Sequence, residues 1–464
     1  MTAWMARIAA GVVVFLAVGG SSAAGGPDVS VWVEDVPFLL AQIEEIHPDP
    51  YHRHTPEEWR VAVQELEAKL ASPDCTVGEA IYGFQRIVAM LGDGHSRIDI
   101  PSRLQRGRRW LPIHTQVFSD GLYVRTGHRD HAELFGKRIV SVNGKPVAEV
   151  FAALRPFLSS DNGMGALDLF PHYLRNPWAL HAAGVTPDVA EQVSIGVETD
   201  DGSVAEITVP ATTDSWITPE WRDADAHVRL QKPLYRRMDG NYAMEYLAEE
   251  RVLYVYIESI RDDDGESLAE FSRGIFEFIE GHEVVKLVLD LRENGGGNNY
   301  LNQPLVHGLI GCDEIREPGR LFVITGRDTF SAAMGLAVDI EKHTHALFVG
   351  EPPGATPNHF GDTRRVVLPR SRLVLRCSEL YWQGSDPRDR RPWITPDIPA
   401  ELSFADFLGR RDPAMEAILA YRHDADAGPE SPNRNWFRPS QRVEREAGEP
   451  LPGASCLAVV GEIE

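Results

Sequence analysis

The stretch that decides the fold is Val284–Asn299, "VVKLVLDLRENGGGNN". A short apolar run rich in β-branched residues is the pattern of a strand buried on both faces. It breaks into three consecutive glycines, Gly295–Gly297, after a polar Arg292-Glu293-Asn294. Glycines at that point let a backbone approach another group closely and turn its N–H groups outward. No G-x-x-x-x-G-K-[ST] or G-x-G-x-x-G is present here, so the loop is not that of a nucleotide site.

Working outward, strands and helices alternate over residues ~240–425. "RVLYVYIESI" predicts a strand and "ESLAEFSRGIFEFIEGH" a helix. "YLNQPLVHGLI" predicts a helix, "RLFVITG" a strand, Ser331–Lys342 a helix and "ALFVG" a strand. That alternation predicts an α/β core. Upstream, residues ~105–213 predict a small, mostly β domain, with a turn at Asn143-Gly144 followed by a helix and a hairpin around Asp201-Gly202. Residues 31–100 predict helices. "TPEEWRVAVQELEAKL" begins with Thr55 as N-cap, Pro56 at the first helical position and Glu58 closing a capping box. A third helix is expected over roughly Glu79–Leu91, ending in the tight turn "GDGHS".

The chain has 464 residues and a formal net charge of −23. That charge excludes a general nucleic-acid binder. The N-terminus predicts a secretory signal over residues 1–24. Arg7 precedes the apolar run Ile8–Gly20, and small residues allow cleavage after Ala23 or Ala24. The run is too short to span a bilayer comfortably, so an exported (periplasmic or secreted) protein with no stable membrane span is expected; a retained anchor is the rival. Cys75, Cys312, Cys377 and Cys456 permit a disulfide or stand alone. From about Asp424 the composition predicts a flexible tail, residues 426–464. "HPDPYHRH" holds His47, Asp49, His52 and His54, but its prolines break metal-ligand spacing, and a surface loop or helix-joining turn is expected. No metal or cofactor is implied, and no H-E-x-x-H or G-x-S-x-G occurs.

Ser331 follows the strand "RLFVITG" at the start of a helix. There the first free N–H groups and the helix dipole favour developing negative charge, and the Ala332 N–H is a natural oxyanion donor. An ordinary helix N-cap is the alternative for such a serine.

"LVLDLRENGGG", "TGRDTFSAA", "ALFVGEPPGATPNHFGD" and "TPDIPAELSFADFLGRRDPAMEAIL", in this order, resemble serine peptidase family 41. This is the family of carboxyl-terminal-processing (tail-specific) proteases and the tricorn core. The resemblance covers roughly residues 30–425. It implies a crotonase-like (ClpP/crotonase) α/β catalytic domain at 214–425, an N-terminal helical region at 30–104 and a PDZ-like domain at 105–213, which contains "LFGKRIVSVNGKPVAEV". It also implies Ser331 as nucleophile and a glycine of the triple-glycine loop in the oxyanion hole, Gly296 first and Gly295 next.

The family's lysine base is missing: Thr356 stands where it would fall, and no lysine follows Lys342. Lys342 itself is about 16 Å from Ser331 along the helix. The tricorn-like branch uses a histidine, and "LGDGHSRIDI" resembles its motif, which implies His95 as base. A neutral imidazole suits a serine hydroxyl near neutrality. For the acid that orients it, the tricorn resemblance points to Asp389 first and Asp386 next; Glu379 and the neighbouring Asp93 are alternatives.

The expected function is a serine-type endopeptidase acting on protein or peptide substrates through an acyl-enzyme. A non-catalytic ligand- or peptide-binding protein on the same scaffold, or an esterase, is the alternative.

Overall fold

The computed structural model describes residues 27–213, 232–422 and, as backbone, 221–223. The expected signal segment, the tail and Cys456 lie outside the described residues.

The central element is a six-stranded sheet. Val252–Ile257, Lys286–Asp290, Leu321–Thr325, Leu347–Gly350 and the short Ile398–Pro399 run parallel, and Tyr242–Leu247 closes one edge antiparallel. Parallel strands need crossovers, and helices Leu268–Gly281, Gln303–Gly311 and Ala332–His343 supply them. Alternation along a strand sorts the two faces. Leu253, Val255 and Ile257 pack with the crossover helices, while Val252, Tyr254 and Tyr256 pack against Met415 and Ile418 of helix Pro413–Ala420.

The N-terminal helices Asp35–Ile46, Pro56–Leu70 and Val77–Ala89 form within the segment expected to be helical. Thr55/Glu58 and Thr76/Glu79 both form capping boxes. Their apolar faces do not pack only on one another. Leu373, Leu375 and Cys377 of a long hairpin, Asn358–Val367 and Val374–Gln383, complete that core. The short strand Arg97–Asp99 pairs with the same hairpin, Arg97 opposite Arg376. A segment beginning at residue 30 is thereby stitched to the α/β core more than 250 positions later.

The segment 105–213 contains the predicted hairpin, Gln192–Glu198 with Val204–Pro210, and the Asn143-Gly144 turn, where φ is 50° and 75°. It is less β-rich than expected. Helices Gly163–Leu174 and Pro177–Ala182 run through it, burying Met164, Leu167, Phe170 and Leu174 at helical spacing. Cys75, Cys312 and Cys377 are free thiols. No helix among the described residues is long and apolar enough to cross a membrane.

Candidate active site

Ser331 is set at the end of a fully buried strand by a tightly bonded loop. The Gly326 N–H donates to Thr329 Oγ1 (3.0 Å), the Thr329 hydroxyl donates to the Leu291 carbonyl (2.7 Å), and the Phe330 N–H donates to the Asn294 carbonyl (3.0 Å). Ser331 then takes φ 53° and ψ −122°. A non-glycine residue there is strained by about 1–3 kcal/mol, a cost that persists only where the surroundings fix it. Its hydroxyl makes no cap bond to the helix it precedes. The ordinary N-cap alternative therefore does not describe it. Its Oγ lies 3.0 Å from His95 Nε2.

His95 arrives on the turn between helix Val77–Ala89 and strand Arg97–Asp99. Two buried carboxylates hold that turn by its backbone. Asp93 Oδ1 accepts the N–H groups of His95 (2.7 Å) and Ser96 (3.0 Å) and the Ser378 hydroxyl (3.0 Å). Asp161 Oδ1 accepts the Gly94 N–H (2.7 Å), and its Oδ2 accepts the Thr356 N–H at 3.4 Å. Asp93 is held down at about 2: burial opposes ionisation, but His47, Ser96 and the charge of His95 outweigh it. Asp161 is pushed up to about 7, by burial first and then by the charge of Asp93.

Burial lowers the pKa of His95, against the charges of Asp93 and Asp362, which favour the imidazolium. Its ring stacks on Phe330, centroids 4.5 Å apart, and lies parallel to His359 at 6.0 Å. His359 is itself driven down to about 4 by burial, so it adds no competing charge near neutrality. The Phe360 carbonyl acts on the His95 ring as an acceptor, although the buried Nδ1 makes no hydrogen bond of normal geometry.

The glycine loop wraps the same point. A Cβ on Gly296 would stand 2.7 Å from Ser331 Cβ and 2.9 Å from the Ala332 nitrogen. The Gly296 N–H, however, donates to Asn294 Oδ1 at 2.9 Å. That overturns Gly296 as the leading oxyanion donor: its amide is turned inward to fix the loop. Gly295 is exposed and does not line the cleft at Ser331. The glycine that lines it, beside Ala332, is Gly297, at φ +145° with its Cα against the Ile260 carbonyl. Three consecutive glycines gave no signal to choose among them; the decisive feature is Asn294, whose side chain captures the amide two residues on.

Asp389 does not orient His95 in this structure. Its carboxylate accepts from Ser385 (2.7 Å) and from Arg391, which also grips Glu341. Asp386 is paired with Arg388, and Glu379 with Arg364. Asp93 is nearest of the four, yet it holds the backbone of the turn and not the ring. Asp362, which acts on the ring by charge, was missed; it sits at φ 52° and accepts from Trp382 Nε1 at 2.8 Å. The segment holding His47 is the expected helix-joining turn, between Asp35–Ile46 and Pro56–Leu70, with Asp49 and His52 exposed; only His47 departs from a surface loop. His47 is buried, its Nε2 3.4 Å from Asp93 Oδ2, and it packs on Phe360. Lys342 lines the far end of the cleft and donates to the Gly384 carbonyl at 3.0 Å.

The cleft encloses about 760 Å³, with Tyr300, Leu380 and Trp382 along one wall. Among the described residues there is no group of three or more histidine, cysteine or acidic side chains placed to hold a metal. A serine and an imidazole in contact at the start of a helix whose first amide is that of Ala332 are competent for nucleophilic attack on a carbonyl.

No protein-family model matches the chain, and no curated protein matches it in sequence. Solved structures do. Mature CPAF complexed with lactacystin superposes over 84% of this chain and 97% of its own, with TM-score 0.58 and 12% identity. The photosystem II D1 C-terminal processing protease matches over 83% and 96%, with TM-score 0.39 and 14% identity. The tricorn protease matches over 84% of this chain and 36% of its own, with TM-score 0.35 and 15% identity. The chain thus has a mixed α/β fold with several sheets, like that of CPAF.

Proposed function

We propose that this chain is an exported serine-type peptidase of the family-41 kind, acting on protein or peptide substrates with a histidine base. In this reading the α/β core over 214–425 is its crotonase-like peptidase domain and 105–213 a PDZ-like module. The observation that carries the reading is the 3.0 Å contact between His95 Nε2 and the hydroxyl of Ser331, a serine strained at φ 53° and not used as a helix cap. The likeness to CPAF supports the fold it requires.

The chemistry follows from the geometry. With its proton on Nδ1, His95 accepts the Ser331 hydroxyl proton at Nε2 as Oγ attacks the carbonyl carbon. Charge develops on the carbonyl oxygen beside the Ala332 N–H, the first amide of a helix, and the Gly297 backbone. The imidazolium protonates the leaving amine, and water repeats the sequence on the acyl-enzyme. Asp93 and Asp161 act on this pathway by fixing the His95 turn.

The test is labelling of the mature protein with a fluorophosphonate, beside Ser331→Ala and His95→Ala. Labelling in the wild type and in neither variant is the expected result. A wild-type protein inert across the pH range would sink the peptidase reading and leave a binding protein on this scaffold. Labelling that survives His95→Ala would keep the serine and remove the histidine.

A further inference from the structure

A second cavity, of about 460 Å³, opens where strands Ile113–Phe118 and Gly121–His128, part of a seven-stranded sheet, face the carboxyl ends of the central parallel strands. It shares no lining residue with the cleft at Ser331. The crevice beyond the carboxyl ends of an open α/β sheet is a favoured place for ligands, and this volume suits a small one.

Most charges in its wall are committed. Arg327 Nε pairs with Glu351 at 2.8 Å and its Nη1 donates to the Val117 carbonyl at 2.8 Å. Arg292 is held by Asp290 and Asp412. Arg125 donates to Gln116 at 3.4 Å, and the Arg236 guanidinium lies 4.5 Å over the Phe407 ring. Glu293 accepts from Tyr256 at 3.0 Å.

Two carboxylates remain: Asp168, on helix Gly163–Leu174, and Asp328, three residues before Ser331. Neither has a hydrogen-bond or ion-pair partner among the described residues. Asp328 is pushed up to about 7, by burial first and then by the charge of Asp168. Burial also raises Asp168, with the charge of Arg327 opposing. Protein surrounds both groups, yet both residues are exposed, because their open side is the cavity. A third group points the same way. Thr126 lines this cavity, is 5% exposed, and its hydroxyl meets no partner.

Two neighbouring carboxylates without a hydrogen-bond or ion-pair partner, offset only by the charge of Arg327 acting on Asp168, complement, with an unpaired hydroxyl beside them, a cation carrying N–H donors. Apolar wall residues such as Leu167 and Pro171 complement a hydrocarbon stem. We propose that the cavity between Asp168 and Asp328 binds a primary ammonium group on an aliphatic stem, the chemistry shared by a lysine side chain and a free alkyl amine.

The test is thermal unfolding of the full chain at about pH 8, above the value of about 7 to which Asp328 is raised. The probes are n-pentylamine, n-pentanol as the uncharged control, and a short lysine peptide against its Nε-acetylated form. Either amine source should raise the melting temperature saturably, with its neutral counterpart inert. The double variant Asp168→Asn/Asp328→Asn should weaken that response by about tenfold or more. It removes a repulsion, so it should melt cooperatively at or above the wild-type temperature. A response to the peptide alone assigns the ammonium to a protein partner, and a response to pentylamine alone to a small amine. No saturable response to either, or a response the double variant keeps, overturns the site.

Discussion

The imidazole Nε2 of His95 and the hydroxyl of Ser331 stand 3.0 Å apart although 236 positions separate them in the chain. Burial is the largest influence on that ring, and it lowers the pKa. The neutral base therefore persists below the ordinary histidine value of about 6.5. The acid limb of fluorophosphonate labelling should fall below that value. The charge of Asp362 favours the imidazolium, so Asp362→Asn should move the limb to still lower pH. A limb at or above the ordinary value, or a shift upward in the variant, would contradict this account.

Strain at Ser331 makes a stability prediction independent of any substrate. Glycine adopts φ 53° and ψ −122° with little penalty, whereas alanine keeps the penalty of serine. Ser331→Gly should be more stable than Ser331→Ala by about 1 kcal/mol, after the opposing entropy of a glycine in the unfolded chain. Paired urea titrations decide it. Equal midpoints, or a less stable glycine variant, would mean the backbone there is not strained.

Gly296 is predicted to be intolerant for steric reasons. Its φ is +102°, and an added Cβ would press on Ser331 Cβ, the Phe330 carbonyl and the Ala332 nitrogen, all within 2.9 Å. Gly296→Ala, by displacing Ser331 from His95, should cut the labelling rate by about 100-fold. Asn294→Ala, which releases the Gly296 amide and also loses the bond from Asn294 Nδ2 to the Ile257 carbonyl, should cut it too, with a lower melting temperature. Wild-type labelling in Gly296→Ala would show that the loop is not packed on Ser331 as described.

These residues also show what the sequence could disclose. Periodicity and caps marked the N-terminal helices and the alternating core, because each depends on neighbours within a turn or a strand. The spacing of Met164, Leu167, Phe170 and Leu174 carries the helix in the small domain, although the strands and turns around it predict a β-rich segment. The long hairpin Asn358–Gln383 left a weaker mark, since Arg364, Arg365, Arg376 and Glu379 interrupt its apolar residues and Leu380 and Tyr381 are exposed. Ser331 and His95 were legible through local motifs. The surroundings of His95 were not: Asp161, His47 and Asp362 come from three distant segments, and no local pattern announces a buried carboxylate that grips a turn. Asp389 failed for the complementary reason, because Arg391, two residues on, takes its charge.

Asp161 supplies the last prediction, one of stability against pH. Its carboxyl is pushed up to about 7 in the fold, from an ordinary value near 3.8. A group raised in this way contributes stability below its unfolded pKa and loses that contribution as pH climbs through the folded value. Asp93 runs the other way. Held at about 2, it contributes above its ordinary value and loses that contribution only in strong acid. Between about pH 4 and about pH 8, Asp161 alone of this pair should change the balance, weakening the fold as it ionises by an amount on the order of a few kcal/mol. Asp161→Asn keeps the acceptor for the Gly94 N–H but cannot ionise. Its melting temperature should vary less over that interval and exceed the wild-type value at the alkaline end. Parallel curves for the two proteins would show that Asp161 does not titrate there, and that the His95 turn rests on a carboxylate charged throughout.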